Sequence, residues 1–164
     1  MATDFAFRAM TAADATAVVA LNQTVVAVTS PMDAARFAEL LGLSAFAEVA
    51  ERDGKVLGFI LPMAEGAAYA NGNYAWFSER LRRFVYIDRV VVAAVTRGQG
   101  LGEQFYRRLS AQARDHGALW LAAEIDSDPP NPGSLAFHRR NGFATVGERR
   151  LDSGKAVSMQ VLGL

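Results

Sequence analysis

The sequence contains no cysteine. That absence excludes disulfides, thiolate metal sites and a cysteine nucleophile together, and it accords with a cytoplasmic protein. Nor is there an excess of charge. Seventeen Lys and Arg balance seventeen Asp and Glu, so the formal net charge is zero, which lacks the footprint of a nucleic-acid binder or of a protein that docks on anionic membranes. No basic segment leads into a long apolar run at the N-terminus, and Thr3-Asp4-Phe5-Ala6-Phe7-Arg8 alternates as a strand does. Neither a signal peptide nor a membrane span is therefore expected. No repeat, linker or low-complexity tract divides the 164 residues, so one domain over 1–164 is expected. Neither G-x-x-x-x-G-K-[ST] nor G-x-G-x-x-G occurs, which argues against a P-loop and against a dinucleotide fingerprint. No metal site is expected.

What is present is a 51% hydrophobic composition, enough for a sizeable core, and one informative run, Arg97-Gly98-Gln99-Gly100-Leu101-Gly102. Upstream, Phe84-Val85-Tyr86-Ile87-Asp88-Arg89-Val90-Val91-Val92 is rich in β-branched and aromatic residues, as a buried strand should be. Downstream, Leu101, Phe105, Leu109 and Ala113 recur every fourth residue, the stripe of a helix with one buried face. Three glycines between them leave backbone N–H groups uncovered at a helix N-terminus, where the dipole favours an anion. Arg97 adds a permanent charge with a fork that fits phosphate oxygens. The run reads as a pyrophosphate cradle; a glycine-softened turn with an incidental Arg is the plainer alternative.

The remaining elements follow from local signals. Thr11-Ala12-Ala13-Asp14 starts a helix reaching about residue 23, and Ser30-Pro31-Met32-Asp33 starts a second that runs to about Leu41 and stops at Gly42. Strands over 46–52 and 55–63 are joined by Asp53-Gly54, a two-residue hairpin signal. Residues 64–83 read as irregular, broken by Gly66, Asn71, Gly72 and Asn73. Ala118–Ile125 reads as a strand and 126–130 as a stiff loop. Asn131-Pro132-Gly133-Ser134-Leu135-Ala136-Phe137-His138-Arg139-Arg140-Asn141-Gly142-Phe143 then gives an N-cap, a proline at the first helical position and a glycine stop. Strands over 143–151 and 157–162 finish the chain. The expected order is β-α-α-β-β-β-α-β-α-β-β, an α/β (α+β) chain with a mixed sheet flanked by helices.

Arg97–Gly102 matches R-x-x-G-x-G after a Val-rich strand, and 131–143 matches an Asn-led helix ending in Gly-Phe. In this order and separation the two resemble the coenzyme A signature and the later motif of the GNAT superfamily of N-acetyltransferases, whose fold has the same element order. The resemblance implies a GNAT-like domain that transfers an acetyl group from acetyl-CoA (coenzyme A) to a small-molecule or peptide amine, by direct attack in a ternary complex. The alternative is a non-catalytic acyl-CoA-binding or regulatory module. A homodimer stays open.

The resemblance assigns Val90, Val91 and Val92 to the backbone contacts of the pantetheine arm. It assigns Arg97, Gly98, Gln99, Gly100, Leu101 and Gly102 to the pyrophosphate, and Asn131, Ser134 and Phe137 to the rest of the coenzyme. Glu124, near the end of an apolar strand, stands where the family often has its base. Asp88, on the face of Tyr86 and Val90 if the strand has no bulge, is a second carboxylate; it serves as base, holds a cationic substrate, or pairs within the sheet. His138 stands where the family usually has a tyrosine that protonates the leaving thiolate. An imidazole there would make turnover fall as pH rises through its pKa; a helix-surface histidine without a role is the alternative. His116 suits the dipole at a helix end. Tyr69, Tyr74, Trp76 and Phe77 line the acceptor pocket or form a satellite core.

Overall fold

The computed structural model describes residues 4–164, so Thr3 of the opening strand lies outside it. Its elements are β1 (Ala6–Ala9), α1 (Ala15–Gln23), α2 (Ala34–Leu43), β2 (Glu48–Arg52), β3 (Lys55–Ala64), α3 (Gly72–Arg80), β4 (Phe84–Val92), α4 (Leu101–Asp115), β5 (Trp120–Asp128), α5 (Pro132–Arg140), β6 (Ala144–Arg150) and β7 (Ala156–Gly163). The strands form one seven-stranded sheet in the order β1-β2-β3-β4-β5-β7-β6. Every neighbouring pair is antiparallel except β4 and β5. This is the mixed sheet flanked by helices that the sequence implies, with one helix more than expected.

The local starts and stops have identifiable causes. Asp53 (φ 53°) and Gly54 (φ 73°) are both left-handed, as a tight hairpin turn requires. The Thr11 N–H donates to the Asp14 carboxylate at 2.8 Å in a short 3-10 turn ahead of α1. α2 begins later than expected. Asp33, not Ser30, is its cap, accepting from the Arg36 N–H at 2.8 Å, because the Ser30 carbonyl is engaged elsewhere, and Gly42 remains inside the helix. α3 was read as irregular sequence. Asn71 caps it, accepting from the Tyr74 N–H at 3.0 Å, and Gly72 falls in the first turn, where its cost is small. β5 continues past Ile125 into the expected loop because β7 pairs with it as far as Asp128.

Two cores sandwich the sheet. On one face, Val18 of α1, Phe37 and Leu40 of α2, and Tyr74 and Phe77 of α3 pack on Phe59, Leu61, Met63, Phe84, Tyr86 and Met159. On the other, the stripe Leu101, Phe105, Leu109 and Ala113 of α4 is buried as its spacing requires, against Ile60, Val85, Ile87, Leu121 and Ala123. Each such large apolar side chain contributes about 1.5–3 kcal/mol on full burial.

Two irregularities in β4 create the site. Leu61 pairs with Arg89 and Pro62 with Ile87, so Asp88 is an extra residue, a bulge. Before it, Phe84 and Tyr86 face the α1–α3 core; after it, Val91 does, while Val90 and Val92 face α4. Asp88 therefore shares a face with Tyr86 but not with Val90, which corrects the bulge-free reading. The second irregularity is a splay. β4 and β5 pair only over Phe84–Tyr86 and Trp120–Ala122, and beyond those residues they have no further register. The β4 edge from Ile87 to Val92 is left unpaired on that side, with alternate N–H and C=O groups turned to the gap.

Candidate active site

The splay opens between two cavities that share Asn131 and Ser134 on their walls. The larger, about 930 Å³, lies on the α4–α5 side. Val90, Val91 and Val92 form its β4 wall, Arg97, Gly98, Gly100, Leu101 and Gly102 its floor, and Phe137 of α5 its far side. Gly98 (φ 78°) and Gly100 (φ 75°) are left-handed, and a Cβ at either would meet nothing within 4 Å. The glycines therefore hold a strained turn whose N–H groups stay open. Among the described residues no carbonyl accepts from the N–H of Gly98, Gly100, Leu101 or Gly102. That is a nest of donors at the start of a fifteen-residue helix. The residues present thus fit a pyrophosphate.

Gln99 is the exception in the run. Its N–H donates to the Thr96 carbonyl at 3.2 Å and its side-chain oxygen accepts from Arg52 at 2.9 Å, so it shapes the turn instead of facing the cavity. Arg140, at the end of α5, adds a cation beside Arg97 that sequence reasoning missed. Its position after Phe137 by three residues was the available signal. Asn131 accepts from the Ser134 N–H at 3.3 Å, so it caps α5 as well as lining both cavities.

The smaller cavity, about 560 Å³, lies on the α1–α3 side and holds Glu124 and Asp88. Each stands two residues past the last β4–β5 pair, Tyr86 with Ala122, which is why both carboxylates flank the opening. The Tyr86 hydroxyl lies 2.9 and 2.7 Å from the two Glu124 oxygens. Enclosure of Glu124 pushes its pKa up to about 8; the hydrogen bond from Tyr86 opposes the rise and the nearby Asp88 charge adds to it. Asp88 accepts from the Tyr69 hydroxyl at 2.6 Å and pairs with Arg89 at 3.1 Å. The Arg89 guanidinium is itself buried, donating to the Ser30 carbonyl at 2.6 Å and to Asn22 at 3.2 Å. One residue thereby ties Asp88 to the α1–α2 connection that walls the cavity.

Of the expected pocket aromatics, only Tyr69 lines this cavity. Tyr74 and Phe77 are core residues on the inner face of α3, the Tyr74 hydroxyl donating to the Ala64 carbonyl at 2.6 Å. Trp76 packs over Gly147, with the Arg80 guanidinium 3.9 Å from its ring centroid. These three belong to the main core of that face, not to a satellite one.

His138 is buried and lines neither cavity. Its Nδ1 lies 2.8 Å from the Ser134 carbonyl and its Nε2 lies 2.7 Å from the Tyr106 hydroxyl. A carbonyl only accepts, so Nδ1 carries the proton and Nε2 accepts from Tyr106. Burial lowers its pKa below the usual histidine value. Both ring nitrogens are engaged inside the core, and the ring itself reaches neither cavity; Ser134, whose hydroxyl lies 3.4 Å from Nδ1, lines both. His116 caps α4, its Nδ1 2.9 Å from the Gln112 carbonyl. Among the described residues no cluster of three metal-ligating side chains occurs, and no helix is long and apolar enough to cross a membrane.

Comparison with known proteins agrees with this geometry. The model of the Acetyltransferase (GNAT) family matches residues 16–143. The structure of Ard1 from Thermoplasma volcanium superposes with a TM-score of 0.78 at 17% identity, covering 98% of this chain and 97% of that one. The ribosomal-protein-S18-alanine N-acetyltransferase from Escherichia coli superposes with a TM-score of 0.75 at 16% identity, covering 98% and 94%. For yncA from Salmonella typhimurium, solved with its cofactor acetyl-CoA, the TM-score is 0.72 at 20% identity, again covering 98% and 94%. At such identities the likeness is one of fold. No curated protein matches the sequence.

Proposed function

The chain belongs to the GNAT acetyltransferase family, and from that premise we propose that it moves an acetyl group from acetyl-CoA to an amine by direct attack within a ternary complex. The observation that carries this reading is the β4–β5 splay, which opens between a coenzyme-sized cavity and an acceptor-sized one and sets Glu124 on the wall of the latter. When bound, acetyl-CoA supplies the acetyl group as a thioester; a C–N bond to the amine replaces the C–S bond, and CoA leaves as its thiol. The N–H groups of Gly98, Gly100, Leu101 and Gly102, with Arg97 and Arg140, hold the pyrophosphate. The open edge of Val90–Val92 takes the pantetheine arm as an added strand, and one of its N–H groups polarises the thioester oxygen.

On the acceptor side the two carboxylates divide the work. Asp88, fixed by Arg89 and Tyr69, attracts the ammonium form of the substrate. Glu124, with a pKa of about 8, is matched to taking the amine proton near neutrality, since a base works best when its pKa lies near the working pH. The absence of cysteine excludes a thioester intermediate on the protein.

The test separates this reading from a module that binds acyl-CoA without turning it over. Acetyl-CoA is incubated with the protein and a broad panel of amines, and free CoA thiol is titrated. With no cysteine in the chain, the thiol signal has no background from the protein. Amine-dependent release is the expected result; a melting temperature raised by acetyl-CoA with no release from any amine would establish the binding module instead.

A further inference from the structure

The acceptor cavity is graded in charge from floor to rim. At its floor, Asp88 and Arg89 are nearly sealed, with side chains 6% and 4% exposed. At its rim two cations rise from opposite walls: Arg36 of α2, with a side chain 36% exposed, and Lys155 ahead of β7, 30% exposed. Lys155 is partnered by Asp126 at 2.8 Å, which uses one of its three donors. Arg36 gives only its Nη1, to Glu39 at 2.7 Å. The rest of its fork has no acceptor among the described residues, and the guanidinium sits 5.8 Å from the centroid of the Tyr69 ring, whose hydroxyl holds Asp88. On this wall Arg36, Arg89 and Lys155 are matched by Asp88, Glu124 and Asp126, and Arg36 pairs outward with Glu39, so what the rim offers an anion is unused donors on its two cations. Ser30, Asn71, Asn73 and Ser153 add polar groups to a lining that also includes Val28, Ile125, Leu151 and Val157.

We propose that the acceptor is a small amine that also carries an anionic group, an α-amino acid or a close analogue. Its amine lies at Asp88 and Glu124, and its carboxylate or equivalent lies on the Arg36 fork, with Lys155 as the second contact. The inference rests on the acetyl-transfer reading and specifies its substrate class. A second ammonium, as in a diamine, would meet the cationic rim. An apolar alkylamine would leave Arg36 and the polar groups of the lining without partners, at a cost in each buried contact. An anion on Arg36 gains a planar, bidentate match that a neutral amide cannot supply.

The experiment compares each amino acid with its own amide, alongside alkylamines, diamines and short peptides, by CoA release at saturating acetyl-CoA. The expected result is a kcat/KM for the amino acid about tenfold or more above that of its amide, the range of one charge-assisted contact. The Arg36→Gln variant should bring that ratio towards one, chiefly by raising KM for the acid, while its melting temperature and acetyl-CoA shift match wild type. Amides, diamines or alkylamines that equal the amino acid in the wild type would overturn the proposal. So would a ratio unmoved by Arg36→Gln. Silence from every amine would overturn the transferase reading itself and this inference with it.

Discussion

Glu124→Gln keeps the side chain's shape and removes its titration, so it isolates what enclosure does to this carboxylate. Burial raises Glu124 from 4.5 to about 8. At 1.36 kcal/mol per pH unit this difference corresponds to roughly 5 kcal/mol as an upper bound, and water entering the cavity reduces it to a working figure of about 2–4 kcal/mol. The sign follows from linkage. Because the folded pKa lies above the unfolded one, the native state binds the proton more tightly; the stability this provides is complete below 4.5 and is lost as pH rises through about 8. Gln has no such slope. Between about pH 5 and about pH 9, Glu124→Gln should therefore gain some 2–4 kcal/mol relative to wild type, very roughly 4–16 °C in melting temperature for a chain of this length. Denaturant melts of both proteins across that range read the difference directly, since every other titrating group cancels. In the same variant, turnover should fall by about 10²–10⁴ while acetyl-CoA affinity survives. Wild-type kcat/KM should rise with pH through an acid limb near 8, a limb the variant lacks. Stability curves that run parallel for the two proteins would refute the reasoning.

Three further outcomes follow from the geometry. Gly100→Val places a side chain at φ 75° with no steric neighbour; it should cost about 1–2 kcal/mol in strain, stay folded, and lose the acetyl-CoA thermal shift by covering the cradle's N–H groups, which a calorimetric melt with and without ligand will show. Arg89→Leu leaves Asp88 enclosed without its cation and the Ser30 carbonyl with only the Asn22 side-chain amide as donor; urea titration should register a loss of about 3–5 kcal/mol, part of it recovered in Asp88→Asn/Arg89→Leu, and a single-variant loss under about 1 kcal/mol would contradict the assignment. His138→Phe deprives the Tyr106 hydroxyl of its acceptor and the Ser134 carbonyl of its side-chain donor, though not of its helical one, at about 1–3 kcal/mol. Because the wild-type ring must charge as pH falls through its lowered pKa, the variant's deficit should shrink in acid. The alkaline limb of its pH–rate profile should match wild type, and a displaced limb would return His138 to the mechanism.

What was legible in the sequence was whatever a few neighbouring residues decide. Asp53-Gly54 forces its own turn, Asn131 and Pro132 start their own helix, and Gly98 and Gly100 hold the cradle open by what they lack. The fold followed from these local signals and from the periodicities between them. α3 escaped because Asn71, Gly72 and Asn73 read as breakers, yet a cap and a first-turn glycine are also how a helix begins. His138 was assigned by its place in a motif. Its surroundings are set by Tyr106, thirty-two residues away on another helix, and no local pattern carries that contact.

The arrangement of the acceptor floor has the same non-local origin. Pro62 stands in β3, a central strand of the sheet. Proline has no N–H to give to a ladder and is found inside sheets at edges and bulges. Pro62 lies beyond Ile60, the last β3 residue paired with β2, and its carbonyl accepts from the Ala45 N–H on that open side, so the missing N–H takes no bond from β4; the register with β4 breaks between Leu61 and Pro62. The extra residue opposite that break is Asp88. Its insertion turns Asp88 and Arg89, adjacent in sequence and normally on opposite faces, to one side of the sheet, where they pair at 3.1 Å. Without the bulge, Arg89 would point into the α4 core and Asp88 would lack its cation. The strand that presents Val90–Val92 to the coenzyme would also keep its other parity. The chemistry of the acceptor floor is therefore specified by the register of β4 against β3 as much as by the charged residues themselves.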